Sequence, residues 1–363
     1  MSFQTTRSQK KISIAPPSLL AIISSAVFLL IVISSVGLLF FGGQKYIAEV
    51  QYLKGARLVT QGDANKGIAK IVSAALLNPS VDLYWRDLSQ LYLSQITQIT
   101  SDKNLSDEQK RQQSQVSVSN ATTAANQAVI IAPENVENWN VRGFIYRNLI
   151  GIEGADTIAI DSYNRAGQLE QASPFSFTEL GRVYLTQAQN LANQKNTEDK
   201  QKAALNKALE NLNKAIALKI DYSPAHYLVA LVYDQQGKSD EAISKLVETT
   251  RIVPNDLGLA FQLGVIYYQK NQFDNAKVQF EKVKSINENY ANARYMLGLV
   301  YDKQGQNSKA IAEFTKVLEL NSDNDQVKKI LDNLKNGKPA LTNIQTASPP
   351  IQDNPPEIQK VKK

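Results

Sequence analysis

The hydrophobic pattern splits the chain into two regimes. Ser18 to Phe41 carries no charged residue and is dominated by Leu, Ile, Val, Phe, Ser and Ala. As a helix at 1.5 Å per residue it extends about 36 Å, enough to cross a hydrocarbon core of about 30 Å with some tilt. Pro16-Pro17 sit just ahead of it, where a missing N–H costs least. The competing reading is a cleaved signal peptide. Against it, an h-region normally runs about 7–15 residues, and no Ala-x-Ala site follows.

Beyond the apolar stretch the dominant pattern is self-similarity. Tyr233, Tyr267 and Tyr301 are spaced by 34 residues, as are Ala230, Gly264 and Gly298, then Ala242, Ala276 and Ala310. Gly237, Asn271 and Gly305 keep the same step. A fixed period of this length is the signature of a helical-hairpin array. Earlier copies follow from the same register. Trp139, Gly143 and Tyr146 form one, Trp85, Leu88 and Tyr92 another with Ser89 in the glycine column, and Gly181 with Tyr184 a third. The first copy is degenerate, marked by Gly55, Gly62-Asp63, Ala74 and Asn78-Pro79.

This period, with Trp, a small residue and Tyr on a first helix and Ala and a bulky residue on the second, resembles the tetratricopeptide repeat (TPR). The resemblance implies an all-α TPR solenoid of about seven helix-turn-helix units behind one transmembrane helix. The units fall at about 48–81, 82–135, 136–173, 174–222, 223–256, 257–290 and 291–324, with a capping helix near Asp325–Asn336. The domain plan is therefore a basic tail over 1–17, a transmembrane helix over 18–41, the solenoid with its cap over 48–335, and a disordered Pro-rich tail over 336–363.

The prolines support the register independently. Of twelve, two precede the apolar span and five lie in the tail. The others, Pro79, Pro133, Pro174, Pro224 and Pro254, all fall at inter-repeat junctions, where a helix must stop. Two units are lengthened, by 20 residues between Ser89 and Ala121 and by 15 between Gly181 and Ala208. Both insertions read as longer helical hairpins over 93–120 and 186–207. Ser106 and Gln109 make a capping box for the first, and a turn falls near Asn196-Thr197 in the second. Lys328, Lys329, Asp332 and Lys335 read as the polar outer face of the cap.

Composition then narrows the chemistry. The 363 residues contain no cysteine and one histidine, His226. Disulfides, thiolate metal sites and Cys nucleophiles are excluded, and any triad would need His226. His226 stands in the column that Trp85 and Trp139 occupy, which is a packing position. There is no Gly-rich phosphate loop, HExxH, GxSxG or calcium loop. Gly151 to Gly154 is a turn insertion, and Asp240-Glu241 sits where a helix dipole favours acid. The chain reads as a non-enzyme with no cofactor and no metal. Its net charge of +6 is too mild to indicate nucleic acid. Arg7, Lys10 and Lys11 precede the span without an acidic residue, which places the N-terminus in the cytoplasm and the repeats outside it, on the cell membrane.

What the TPR resemblance implies about function is a concave face lined by first-helix columns. Column by column, these are Tyr227, Leu231, Asp234 and Gln235; Phe261, Val265, Tyr268 and Gln269; Tyr295, Leu299, Asp302 and Lys303. Earlier units add Arg86, Arg147 and Arg182. The rings either await a ligand or pack between repeats. The expected role is a membrane-anchored scaffold that binds a protein or peptide segment in this groove. The alternative is an accessory subunit of surface-polysaccharide assembly, because a span running into TPRs resembles the tail of O-antigen ligase or polymerase-like membrane proteins.

Overall fold

The computed structural model describes residues 18–192 and 194–344. Among them are fifteen α-helices and no strand. The basic residues Arg7, Lys10 and Lys11 and the tail from Gln345 onward lie outside the described residues. The chain divides into two compact units between Ala132 and Pro133.

The first unit holds α1 (Leu19–Thr60), α2 (Ala64–Leu77), α3 (Asp82–Ser101) and α4 (Asp107–Ile131). α1 is one helix of 42 residues, about 63 Å long. The apolar stretch and the first repeat helix are thus a single element, and Gly42-Gly43 do not interrupt it. Its two halves differ in burial. Large apolar side chains from Ile23 to Phe41 are exposed, whereas Ala48 is fully buried. The repeat half crosses α2 at two glycines. A Cβ at Gly55 would lie 2.8 Å from the Gly67 carbonyl and 2.6 Å from Ile71, so neither position tolerates a side chain without a shift. α3 and α4 form the first long hairpin. The Ser106 hydroxyl accepts from the Gln109 N–H at 3.3 Å, and the Gln109 side chain accepts from the Ser106 N–H at 2.9 Å, which is the expected capping box. Tyr52 and Tyr84 stack at 4.8 Å and bind opposite helices, Tyr52 donating to Asp87 at 2.7 Å and Tyr84 to Glu49 at 2.8 Å.

The second unit pairs its helices consecutively. They are α5 (Val136–Arg147) with α6 (Ala155–Leu169), α7 (Pro174–Ala192) with α8 (Glu198–Leu218), and α9 (Ser223–Gln235) with α10 (Ser239–Ile252). α11 (Leu257–Gln269) and α12 (Phe273–Ile286), then α13 (Ala291–Lys303) and α14 (Asn307–Leu320), complete the series, and α15 (Asp325–Lys335) closes it. Pro174 and Pro224 stand in the first turns of α7 and α9, where their missing N–H is not needed.

One steric column sets the pairing in five of the seven hairpins. Gly264 faces Phe280 and Gly298 faces Phe314, each sixteen residues later, and a Cβ would meet those rings at 2.7 and 2.8 Å. Gly143 faces Tyr163 at 2.7 Å and Gly181 faces Leu212 at 2.5 Å. Those longer separations contain the four-residue turn insertion and the 15-residue hairpin extension respectively. In the first unit the pair Gly55 and Ile71 again keeps the sixteen-residue step. The turn between paired helices needs a left-handed residue, and Gly237, Asn271 and Gly305 supply it at φ of 73°, 59° and 70°.

A second column fixes the junction ahead of four hairpins. Trp85 Nε1 donates to the Pro79 carbonyl at 3.0 Å and Trp139 Nε1 to the Pro133 carbonyl at 2.7 Å. His226 Nε2 makes the same bond to the Ile220 carbonyl at 2.7 Å, and Arg294 Nε to the Glu288 carbonyl at 2.6 Å. In all four the acceptor lies six residues upstream. Trp, His and Arg share this column because each places an N–H donor on the turn, whose carbonyl no helix can satisfy. His226 is therefore a structural staple, fully buried against α9's own entry turn.

The C-terminal end differs from expectation. The tail was expected to be disordered from residue 336, yet Pro339 to Ile344 fold back through two consecutive turns, Thr342 N–H to Pro339 and Ile344 N–H to Leu341, both at 3.0 Å. Ala340 is fully buried, and Leu341 and Ile344 pack on the core that contains Tyr295 and Leu299. Lys328, Lys329, Asp332 and Lys335 of α15 face solvent, as a cap requires.

Candidate functional site

The first-helix columns that the register assigns to a groove do not share one environment. Tyr227 and Leu231 on α9, and Val265 and Tyr268 on α11, are half-buried. Gln269 and Lys303 at the helix ends are exposed, and Gln235 is intermediate. These residues form a surface with apolar flanks and polar edges. Burial raises the pKa of the Tyr227 and Tyr268 phenols, so both remain neutral donors near neutral pH. Tyr268 meets Phe273 edge-on at 5.6 Å, which holds its ring in place. The side-chain oxygen of Gln235 in these columns accepts no hydrogen bond.

The remaining column residues are core. Phe261 is buried between Phe280 and Tyr290, at centroid distances of 5.7 and 5.6 Å. Tyr295 is 0% exposed and Leu299 1%. The Tyr295 ring meets Phe314 edge-on at 5.4 Å, and its hydroxyl accepts from the Gln326 side chain at 3.2 Å. An open trough through Phe261, Tyr295 and Leu299 is therefore not what the chain presents. Every residue of α13 from Ala291 to Tyr301 is buried, because α15 and residues 339–344 cover the side that the preceding repeats leave half open.

The arginines do not form a free basic centre either. Arg147 and Arg182 converge on one buried carboxylate, Glu179, at 3.6 and 3.1 Å. Glu179 also accepts from the Tyr163 hydroxyl at 3.4 Å, and burial with the neighbouring Glu179 charge drives that phenol's pKa upward. Arg147 lies 5.3 Å from the Phe144 ring centroid. The cluster carries two cations against one anion, so its pull on an acidic partner is that of a single, partly screened charge. Arg86 belongs to the first unit, where its charge acts on the Tyr52 phenol.

Residues outside the expected set complete the picture. Asn333 on α15 stands 34 residues after Leu299, in the same column as Leu231 and Val265. Its Nδ2 donates to the carbonyls of Ala340 and Thr342 at 3.1 and 2.9 Å. Asp302, in the column of Asp234 and Tyr268, accepts from the Ala340 N–H at 3.2 Å. The column arithmetic extends to Asn333, but the cap's charged face conceals it in the sequence. Among the described residues no group of three or more His, Cys, Asp or Glu side chains is placed to hold a metal.

Comparison with known proteins agrees with this architecture. Residues 264–305 match the TPR repeat family and residues 291–324 match the tetratricopeptide repeat. The chain is similar in structure to a tetratricopeptide repeat protein from Parabacteroides merdae, with 17% identity and a TM-score of 0.50 over 80% of this chain and 99% of that one. It is also similar to YrrB, a TPR protein with an unusual peptide-binding site, at 20% identity and a TM-score of 0.34 over 55% and 94% of the two chains. Pseudomonas aeruginosa pilF shares 13% identity at a TM-score of 0.43 over 71% and 99%. No curated protein matches in sequence. The chain thus carries tetratricopeptide repeats within an all-α TPR fold.

Proposed function

We propose that this chain is a membrane-anchored TPR adaptor that holds a protein or peptide segment near the bilayer. The observation that carries the reading is α1. Thirteen large apolar side chains from Ile23 to Phe41 are left uncovered, and the same helix continues into the first repeat. A contiguous apolar surface of this size calls for a lipid or protein environment. Because no break separates the halves, the repeat unit next to the span is held directly at the membrane surface.

Partner binding is assigned to the half-buried stripe Tyr227, Leu231, Val265 and Tyr268, with Gln235, Gln269 and Lys303 at its polar edge. Partly exposed apolar groups bounded by amide donors and acceptors suit a peptide whose side chains pack while its main chain is hydrogen-bonded. The test is affinity capture from detergent-solubilised membranes with the intact chain and with Tyr268→Ala/Gln269→Ala. Loss of a specific partner from a variant that still melts cooperatively supports the groove; unchanged capture removes it.

The second reading, an accessory subunit for surface-polysaccharide assembly, rests on the same continuity of span and repeats. It expects the captured partner to be a multi-span membrane protein.

A further inference from the structure

We infer that Pro339 to Ile344 is an intramolecular peptide ligand, seated in the terminal groove of the repeats and barring it to any other chain. This deepens the adaptor reading above by naming how one end of its groove is regulated. The segment is held as a peptide is held, through its main chain. Asp302 accepts the Ala340 N–H at 3.2 Å, and the Asn333 carboxamide bridges the Ala340 and Thr342 carbonyls at 3.1 and 2.9 Å. Both residues stand in the groove columns of consecutive helical layers, 31 residues apart. None of the three bonds reads a side chain of the segment, so the clamp accepts backbone and leaves selection to the flanking contacts.

Those contacts define the ligand class. Ala340 is fully buried, so its position takes a small residue. Leu341 and Ile344 lie on the Tyr295 and Leu299 core, which calls for aliphatic residues immediately after the small one and three further on. Pro339 fixes the turn whose carbonyl receives the Thr342 N–H at 3.0 Å and its hydroxyl at 2.8 Å. The recognised pattern is thus Pro, small, aliphatic, a hydroxyl residue that bonds the turn, Asn or Gly for the left-handed backbone at φ 60°, then aliphatic. Only Gly337 and Lys338 separate α15's C-cap from this segment. A tether that short gives an effective concentration in roughly the millimolar range, which a free peptide at tens of micromolar does not match.

The experiment uses a labelled synthetic peptide of residues 338–344 and fluorescence anisotropy in detergent. Three proteins are compared: the full chain, the full chain with Ala340→Asp, and the chain ended at Gly337. We expect saturable binding to the last two and at least tenfold weaker binding to the first. Adding Asn333→Ala to the shortened chain should weaken binding at least tenfold, and a scrambled peptide should not bind. A shortened chain that melts cooperatively but takes no peptide overturns the inference, as does equal binding with and without Asn333. If the shortened chain fails to fold, Ala340→Asp carries the test; if neither variant folds, the segment is a structural cap and the inference falls. No partner enters this assay, so it can succeed where the adaptor reading fails, and the reverse.

Discussion

Gly298 faces the ring of Phe314 with room for a hydrogen atom and nothing larger. A Cβ there would lie 2.8 Å from Cε2 and 2.9 Å from Cζ, and the ring is fully buried. Phe314 cannot retreat, because Tyr295 packs edge-on against it. Gly298→Ala should therefore destabilise despite the better helix propensity of alanine, and Gly298→Leu more so, by about 1–3 kcal/mol. Thermal melting of both variants checks the order. A glycine on a free helix surface would give the opposite sign, since alanine there gains about 1 kcal/mol.

A buried charge network makes a second prediction. Arg294 and Glu313 are paired at 2.7 Å with both side chains near 10% exposure or less, and Lys284 reaches the other Glu313 oxygen at 2.7 Å. Arg294 also donates to the Glu288 carbonyl that staples the junction. Glu313→Gln leaves Lys284 facing a neutral amide and Arg294 with the exposed Glu288 carboxylate, at 3.2 Å, as its remaining counter-charge. Breaking such a pair typically costs about 3–5 kcal/mol, far beyond the 0–1 kcal/mol of an exposed ion pair. The exposed pair Lys214 with Glu210 is the internal control, and Glu210→Gln should change the denaturant midpoint little.

Alkaline pH should destabilise the chain through its buried tyrosines. Burial, together with a hydrogen bond to a carboxylate, pushes the phenols of Tyr84 and Tyr301 up to about 12, and burial alone dominates for Tyr295, also about 12. The folded state holds these protons more tightly than the unfolded state, where the phenol titrates near its ordinary value of 10.0. Their contribution is complete below pH 10 and is lost as pH rises from 10 towards 12. Melting temperature should fall across that window while tyrosinate absorbance rises with the unfolding transition. In Tyr301→Phe, which removes the bond to Glu281, the dependence should be shallower.

How much of this was legible in the sequence depended on how sterically demanding each feature is. Gly264, Gly298, Phe280 and Phe314 announce the last units because only glycine fits opposite a ring, so the 34-residue period survives there. In the first units the same contact is made by Gly55 with Ile71, a different pair of sizes, and the pattern fades although the sixteen-residue step holds. The apolar stretch was legible as a helix, but not its fusion with the first repeat, since the apolar run ends at Phe41 while the helix continues to Thr60. The groove columns follow from counting in steps of 34, yet counting says which face a residue occupies and not what covers it. Ala340, Leu341 and Ile344 join the core that holds Tyr295 and Leu299, yet the prolines of residues 339–356 and the lack of helical periodicity read as an unfolded tail. Arg147 and Arg182 were visible as cations, but their shared counter-charge, Glu179, comes from the same helix turn as Arg182 and draws no notice in a linear reading.

The orientation of α1 yields the last prediction. Its apolar half begins beyond Arg7, Lys10 and Lys11, while Lys45, Lys54 and Arg57 follow it with Glu49 among them. Basic residues near a span hold their side in the cytoplasm, and the N-terminal set is the one without acidic neighbours. Alkaline phosphatase joined to the C-terminus in a bacterial host should be active, and a reporter that works only in the cytoplasm should be inactive at the same point. Anchoring is checked separately. The intact chain should stay with membranes through alkaline carbonate extraction, and its mass should include the residues before Lys45, which a cleaved signal peptide would lack. Ile31→Arg with Leu38→Arg places two cations on a helix half whose side chains are uncovered, at about 2.5–3.5 kcal/mol each if they enter the bilayer centre. That variant should leave the membrane fraction and still melt cooperatively, because α1 joins the repeat core only from Ala48 onward. Retention of the double variant on membranes would locate the attachment elsewhere in the chain and detach the repeats' position from this helix.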